Sequence, residues 1–256
     1  MNWNAGKYLA FKSERTQPSI DLVHRIPLQS PERIIDIGCG PGNSTEQLKK
    51  RYPNARVTGA DNSESMINAA RENHPDIEFV LLDASKELCR LTEKYDIVFS
   101  NACIQWIPDH PKLLREMSSI LNDGGVLAVQ LPMIYDEPIH RILLETAEAE
   151  KWRGKLGGAR HFYTLSPEEY YDILADISPD FSMWQTTYFH RMKSHRDIIE
   201  WYKSTGMRPY LEALQPGEAE EFEEEIFRRV TREYKVQAKG EIIFRFPRLF
   251  FTLIKS

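Results

Sequence analysis

Several features common in other protein classes are scarce in this 256-residue chain. It has only three cysteines, Cys39, Cys89 and Cys103, and no C-x-x-C pair. An odd number of widely spaced cysteines argues against a disulfide framework and against a zinc knuckle. The N-terminal stretch lacks the apolar run of a signal peptide, and no apolar run reaches bilayer-spanning length. We therefore expect a soluble cytoplasmic protein that does not bind a membrane.

Excess positive charge is also missing. The net charge is −5 and the sequence pI is near 5.9, which argues against a nucleic-acid partner because phosphate-backbone binding needs a basic footprint. His190 and His195 do not have the helical spacing of metal ligands, so no metal is expected. The chain is 41% hydrophobic, which is enough to bury a sizeable core. Composition does not determine the oligomeric state.

Short apolar runs alternate with helix-like segments through the first half of the chain. The predicted strands cover residues 33–38, 55–60, 77–82, 95–100 and 125–132. The segments between them, including 86–94, mix apolar and charged residues at helical spacing. Continuous apolar strands that alternate with helices are typical of an α/β fold with a doubly wound, mostly parallel sheet.

The rhythm changes after Pro132. A helix and a glycine-containing loop are predicted over 133–165, and a helix that begins at Ser166 over 166–177. Strands are predicted at 181–192 and 241–255, with a helical region over roughly 194–235 between them. The glutamate run in that region is interpreted as the solvated face of an amphipathic helix.

The stretch "DIGCGPGNST", residues 36–45, places three glycines at alternate positions between a strand and a helix. In an open α/β sheet, ligands bind beyond the carboxyl ends of the strands. The next strands end in "GADNSESM", "LLDAS" and "NACIQWIPDH", so four consecutive strand-end loops should line one site. Asp61 is placed to accept hydrogen bonds from ribose hydroxyls, and Asp83 or its backbone could take an adenine amino group.

An adenosine moiety occurs both in dinucleotides and in S-adenosylmethionine, and two residues separate them. The dinucleotide fingerprint G-x-G-x-x-G requires glycine at position 43, where this chain has Asn43. Asp36 places a negative charge that would repel a pyrophosphate but not an ammonium or a sulfonium. No G-K-[ST] sequence follows, which excludes a P-loop. The loop therefore favours a methyl donor over a dinucleotide, and a dinucleotide-dependent reductase is the disfavoured rival.

The same motifs resemble those of class I S-adenosylmethionine-dependent methyltransferases. The N-terminal "WNAGKYLAFKSERTQP" and the later "TTYFHRM", "STGMRPYL" and "FPRLF" are similar to the methyltransferases of this superfamily that act on trans-aconitate. The resemblance covers essentially the whole chain. It implies a seven-stranded Rossmann-like sheet with an antiparallel edge strand and a helical cap.

The resemblance also implies a layout within a single domain, residues 1–256. Residues 1–30 would form a helical lid and 31–132 the half that binds S-adenosylmethionine. Residues 133–165 and 193–240 would be cap insertions, and 166–192 and 241–256 the closing helix and last strands. The residues implied to bind the donor are Asp36, Gly38, Cys39, Gly40, Gly42, Asp61, Asn62, Met66, Asp83, Ala84, Asn101, Ala102 and Trp106.

A tricarboxylate acceptor needs cationic and hydroxyl partners, and arginine suits the bidentate geometry. The expected acceptor-binding residues are Arg208, Arg248, Tyr188, His190 and Arg15, with Arg160, His161, Tyr210 and Arg245 as further candidates. A carboxylate is already ionised near neutral pH, so no general base is expected. Catalysis would come from in-line positioning and from exclusion of water.

The resulting hypothesis is a carboxyl O-methyltransferase that forms the monomethyl ester of trans-aconitate and releases S-adenosylhomocysteine. The alternatives are a methyltransferase that acts on another small acid or on a carrier-bound acyl group, and a methyltransferase-like binding module without turnover.

Overall fold

The computed structural model describes residues 12–157, 159 and 162–256, without the side chains of Lys12, Ser13 and Arg15. Its centre is one seven-stranded sheet. The strands are β1 (Arg33–Ile37), β2 (Arg56–Asp61), β3 (Glu78–Leu81), β4 (Tyr95–Asn101), β5 (Leu121–Pro132), β6 (Phe181–Met192) and β7 (Ile242–Ile254).

The strand order is β3-β2-β1-β4-β5-β7-β6. The first five strands pair in parallel, whereas β7 pairs with β5 in antiparallel orientation. The predicted mostly parallel, doubly wound sheet with an antiparallel element is therefore confirmed. The order turns back between β1 and β4, which places the loops after these two strands side by side at a topological switch point.

The helices follow the strands as the sequence pattern indicates. They are α1 (Lys12–His24), α2 (Asn43–Arg51), α3 (Glu64–Asn73), α4 (His110–Ser119), α5 (Pro138–Ala147), α6 (Glu150–Leu156), α7 (Pro167–Ile177), α8 (His195–Lys203), α9 (Arg208–Glu212) and α10 (Pro216–Glu233). Ser166 starts α7 as predicted, since its side chain accepts from Glu169 N and the Glu169 carboxylate accepts from Ser166 N.

The predicted helix over 86–94 is wrong. Only the single 3-10 turn Leu88–Arg90 forms there. Leu88 is the one buried residue of this segment, so no apolar face exists for a longer helix to bury. The Glu87 carboxylate instead accepts a hydrogen bond from Asp83 N at 2.8 Å, which ties the turn to the end of β3.

The glutamates of α10 are exposed or half-buried, in agreement with the predicted amphipathic helix, and several of them form ion pairs. Phe222, Ile226 and Val230 make up the buried face of this helix. In the first turn of the helix, Glu218 pairs with Lys155 at 2.5 Å. Ion pairs of this exposure contribute little stability individually, so the buried apolar face holds the helix in place.

The chain divides into two compact units. The first takes its described residues from Met1–Pro132, Tyr163–Thr186 and Arg248–Ser256, and the second from Met133–Phe162 and Thr187–Pro247. The predicted lid, donor half and cap follow different boundaries and stay a prediction. In the described part of the chain, no helix combines the length and the apolar character needed to cross a bilayer.

The core of the first unit is the apolar body of the sheet, whose central strands contribute fully buried residues such as Ile34, Val98 and Leu127. The core of the second unit is aromatic. Trp152 packs edge-on against Phe222 with ring centroids 5.2 Å apart, and its indole Nε1 donates to the Glu225 carboxylate at 3.0 Å. A buried tryptophan retains its polar contact in this way.

Two glycines of the loop after β1 are required for different reasons. Gly38 has φ +77°, and a Cβ atom there would lie 2.1 Å from Cys103 Sγ in the loop after β4. Gly40 has φ +54°, but a Cβ there would meet no atom within 4 Å. Gly38 therefore allows close packing of the two loops, whereas Gly40 leaves open space beside the backbone.

We expect Gly38→Ala to destabilise the protein more than Gly40→Ala. Both variants incur about 1–2 kcal/mol for a left-handed backbone, and Gly38→Ala adds about 1–3 kcal/mol of overpacking. Urea denaturation of both variants measures the difference. Adding Cys103→Gly to Gly38→Ala removes both the Sγ at 2.1 Å and the Cβ at 2.3 Å and should recover the packing part only. Equal losses in the two single variants would contradict the assigned packing role.

Candidate active site

The parallel register aligns the carboxyl ends of β2, β1, β4 and β5 side by side. Asp36 on β1 is the partner of Gly59 on β2 and of Phe99 on β4. Two residues further on, Asp61 and Asn101 stand at the level of Gly38, and Asn101 is the register partner of Gln130 on β5. Because partners in a parallel sheet point to the same face, these polar side chains share one face at its carboxyl edge.

Asp36 is fully buried at the end of β1, just before the glycine loop, residues Gly38–Gly42. Its Oδ2 accepts hydrogen bonds from Ser44 Oγ at 2.6 Å and from Thr45 Oγ1 at 2.7 Å, at the start of α2. Burial raises the pKa of the Asp36 carboxyl to about 6, against the lowering effect of these two hydroxyls. Its Oδ1 has no hydrogen-bond donor among the described residues.

Asp61 closes the glycine loop from the end of β2. Its Oδ2 accepts from Gly40 N at 3.0 Å and its Oδ1 from Ser63 N at 2.9 Å. Burial raises the pKa of Asp61, and the backbone hydrogen bonds oppose that rise. Each carboxylate oxygen keeps a lone pair, so Asp61 can still accept from two hydroxyls of a ligand.

The loops after β2 and β3 place the remaining predicted adenosine contacts. Asn62 is exposed, whereas Met66 on α3 is buried and offers an apolar surface. The Asp83 carboxylate is engaged locally, because Oδ1 accepts from Ser85 Oγ at 2.6 Å and Oδ2 accepts from Lys86 Nζ at 2.9 Å. These contacts, the Ser85 hydroxyl first, lower the pKa of Asp83.

The loop after β4 is strained and densely hydrogen-bonded. Ala102 has φ +53°, uncommon for a non-glycine residue, and its carbonyl accepts from Gln105 Nε2 at 2.7 Å. The Oδ1 of Asn101 and the Oε1 of Gln105 are buried acceptors without a donor in the described part of the chain. Trp106 ends the 3-10 turn Ile104–Trp106 and is half-buried.

The buried side chain of His110 connects the loop after β4 to α7. His110 Nε2 lies 2.9 Å from Ile104 O and Nδ1 lies 2.6 Å from Tyr170 Oη on α7. A carbonyl can only accept, so Nε2 carries the proton and the Tyr170 hydroxyl donates to Nδ1. Burial lowers the pKa of His110, which keeps this neutral tautomer. Gln105, His110 and Tyr170 were not predicted as site residues, because no signal in the sequence pairs residue 110 with residue 170.

Cys39 lies inside the glycine loop and is buried at 3% exposure. Burial raises the pKa of its thiol well above the ordinary value, with Asp36 adding to the rise. A thiol of this kind is not a nucleophile. Cys39 belongs to a buried apolar cluster with Ile67, Ala70 and Phe79, consistent with its interpretation as a small residue in a tight turn.

The predicted acceptor residues occupy different environments. Arg248 is 6% exposed, and its Nη1 donates to Gln130 Oε1 at 3.4 Å. Arg208 begins α9, and its Nε donates to Glu212 on the same helix at 2.7 Å. His190 is buried beside Trp201, with ring centroids 4.7 Å apart, and Tyr188 stacks on it at 6.2 Å.

The other candidates add little to this picture. Arg245 is largely exposed and pairs at 3.1 Å with the buried Glu137 carboxylate, and Tyr210 is buried. Arg160, His161 and the Arg15 side chain lie outside the described residues. Gln130 was not predicted, because a glutamine inside an apolar strand carries no motif of its own.

The first unit fits the adenosine and methionine groups of S-adenosylmethionine. Three buried acceptor oxygens, on Asp36, Asn101 and Gln105, have no donor within the described ranges, and an ammonium supplies donors. The open space beside Gly40 and the spare lone pairs of Asp61 suit a ribose next to the loop. Where the structure describes side chains, no group of three or more His, Cys, Asp or Glu residues is placed to hold a metal ion.

Comparisons with known proteins agree with this arrangement. The family described as "Methyltransferase domain" matches residues 34–125. Solved structures share the fold: YcgJ from Bacillus subtilis has a TM-score of 0.60 at 15% identity, over 94% of this chain and 99% of that one. A phosphoethanolamine N-methyltransferase 2 from Haemonchus contortus, solved with S-adenosyl-L-methionine, has a TM-score of 0.55 at 17% identity, over 94% of this chain and 53% of that one.

Curated relatives are much more similar in sequence. A trans-aconitate 2-methyltransferase from Rhodopseudomonas palustris is 41% identical over 99% of both chains. An enzyme of the same name from Escherichia coli is 40% identical over 97% of this chain and 96% of its own length. This similarity spans the donor loops and the later segments alike, and on that basis the chain belongs to the trans-aconitate 2-methyltransferase family of S-adenosylmethionine-dependent enzymes.

Proposed function

We propose that this enzyme transfers a methyl group from S-adenosylmethionine to a carboxylate of trans-aconitate, and that the products are a monomethyl ester and S-adenosylhomocysteine. The relatives named for this reaction support the acceptor at 40–41% identity. The observation that carries the proposal is the row of polar side chains at the carboxyl edge of the sheet. It begins with the carboxylates of Asp36 and Asp61 and ends with the buried guanidinium of Arg248.

The carboxylate end of this row is assigned to the donor. Asp36 and the backbone of Gly38, Cys39, Gly40 and Gly42 would hold the methionine part. Asp61 would accept from the ribose hydroxyls. The remaining proposed donor contacts are Asn62 and Met66 beside the adenosine, Asp83 and Ala84 at the adenine, Asn101 and Ala102 at the sulfonium, and Trp106 over the cofactor.

The cationic end is assigned to the acceptor. Arg248 is the strongest candidate, because a guanidinium that is 6% exposed has few water molecules to solvate it and gains most from a carboxylate. Arg208, Tyr188, His190 and Arg15 complete the proposed set. Because Arg208 Nε already donates to Glu212, its guanidinium would contact both Glu212 and the acceptor.

S-adenosylmethionine, when bound, supplies a methyl group attached to a cationic sulfur. The sulfur is the leaving group and keeps the electron pair of the broken bond. The protein residues then have three tasks: to hold the acceptor oxygen in line with that bond, to exclude water, and to neutralise the carboxylates that do not react. An ionised carboxylate needs no proton removed, so no general base is assigned. Arginine is suited to the third task because it stays charged and donates in a fork.

A panel of mono-, di- and tricarboxylates with labelled S-adenosylmethionine tests the function directly. We expect turnover of trans-aconitate and weak or no turnover of monocarboxylates. Exclusive turnover of monoacids or of a carrier-bound acyl group would overturn the acceptor assignment. Calorimetry with S-adenosylhomocysteine and with NADH tests the donor, and binding of NADH alone would overturn the methyltransferase assignment.

The cytoplasmic location stays a prediction.

Replacement of Asp36 should separate stability from donor binding. The pKa of Asp36 is about 6 in the folded protein, above the ordinary value of 3.8. The free energy of unfolding therefore falls as the pH rises from about 3.8 to about 6, and above about 6 the full cost of a buried charge remains. We expect Asp36→Asn to raise the unfolding free energy of the ligand-free protein at about pH 8 by up to about 3 kcal/mol. Its affinity for S-adenosylhomocysteine should fall by about tenfold or more, as the ammonium loses its counter-charge.

Urea denaturation and calorimetry measure the two effects. The wild-type affinity should also fall as the pH drops through about 6, and the Asp36→Asn variant should lack this dependence. Asp96→Asn is the matched control, because Asp96 accepts from Glu32 N and Arg33 N at the opposite edge of the sheet. Unchanged donor affinity in Asp36→Asn would remove Asp36 from the donor site.

The acceptor arginines are tested by kinetics. Arg248→Ala and Arg208→Ala should each raise KM for trans-aconitate by about 100-fold, because a carboxylate would lose a charge-assisted partner. Donor affinity should stay within about twofold of wild type. Arg191→Ala serves as the control, since Arg191 is exposed and pairs with Glu241 at 2.8 Å. Unchanged acceptor kinetics in both variants would contradict the assignment.

A further inference from the structure

Gln130 is a fully buried amide in the middle of the sheet, on β5. Its Oε1 accepts from Arg248 Nη1 at 3.4 Å. Its Nε2 is a buried donor with no acceptor among the residues that the structure describes. Buried polar groups are nearly always hydrogen-bonded in native proteins, so an unused donor in the core indicates a missing partner.

The neighbouring arginine determines which way this amide points. A guanidinium only donates hydrogen bonds, so the amide oxygen of Gln130 must face Arg248. The NH2 group is therefore turned away from Arg248 and keeps two N–H donors. No flip of the amide satisfies both ends, because a flipped NH2 would face the guanidinium as donor against donor.

The strand register places this donor beside the proposed methyl-transfer point. Gln130 is the partner of Asn101 on β4, and Arg248 on β7 is the partner of Pro132, two residues beyond Gln130. Neighbouring strands lie about 4.8 Å apart, so Gln130 is one strand from the residue assigned to the sulfonium. Asn101, Gln130 and Arg248 follow one another across one face of the sheet, all within the first unit.

We propose that Gln130 and Arg248 together form a binding site for a carboxylate of the acceptor. Gln130 Nε2 donates to one carboxylate oxygen while Arg248 supplies the positive charge. This inference rests on the proposed function and adds a specificity residue to it. A site that combines N–H donors with a positive charge binds an ionised carboxylate more tightly than a neutral group, so it selects acceptors that carry a carboxylate besides the one that is methylated.

The variant Gln130→Glu tests the site without removing its shape. The new carboxylate would pair with Arg248 and occupy the place of the substrate, so the melting temperature should not fall. We expect KM for trans-aconitate to rise by about 10- to 100-fold, with the Kd of S-adenosylhomocysteine within about twofold of wild type. Gln130→Met removes the donors without adding charge and should raise KM by about tenfold.

Gln185→Glu is the control for added charge, because Gln185 is an exposed glutamine on β6. Acceptor KM within about twofold of wild type in both Gln130 variants would overturn the proposal. A parallel loss of donor affinity and melting temperature would also overturn it, since it would show a structural role for Gln130.

Failure of the proposed function gives a different result. In that case the wild-type enzyme itself would not methylate trans-aconitate. Calorimetric titration of trans-aconitate into the S-adenosylhomocysteine complexes of wild type and Gln130→Glu then still tests the site. Binding by wild type that is lost in the variant supports the carboxylate site, whereas equal binding by both, or none by wild type, overturns it.

Discussion

Parallel pairing of β2, β1, β4 and β5 at their carboxyl ends is the constraint on which the site depends. Once Asp36 stands beside Gly59 and Phe99, the levels of Asp61, Asn101 and Gln130 are fixed. A slip of two residues in any one pair would move its polar residue by about 6.6 Å along the strand. The backbone ladder therefore sets the spacing of the site before any side chain makes a contact with a ligand.

The site also concentrates unfavourable features. Asp36 is a carboxylate inside an apolar sheet, Ala102 has a left-handed backbone, and buried oxygens of Asn101 and Gln105 lack donors within the described residues. The apolar strands beneath supply the burial that offsets these costs. This distribution is what is expected when stability comes from the body of the sheet and binding from its edge.

The strand ends that carry the proposed donor residues could be predicted from the sequence because their signals are local. The glycines, Asp36 and Asp61 lie at strand ends, and the alternation of apolar and amphipathic segments marks where those ends are. The failure at 86–94 has a simple cause: charged and apolar residues at helical spacing do not form a helix when only Leu88 finds a core to enter. Gln130, His110 and Tyr170 could not be found this way, because their partners are distant in sequence and the pattern records only neighbours.

The hydrogen bond between His110 and Tyr170 has a consequence for the order of assembly. The two residues are 60 positions apart, and β7, which supplies Arg248, is the last strand of the chain. Every proposed donor-binding residue has been synthesised by residue 106, yet the hydrogen bond between Tyr170 and His110, next to the turn that holds Trp106, can form only after α7 has been synthesised. A nascent chain that ends within α4 thus contains the complete donor motif set without its support. The final arrangement of this turn therefore requires Tyr170, which lies beyond residues 34–125, the segment matched as a methyltransferase domain.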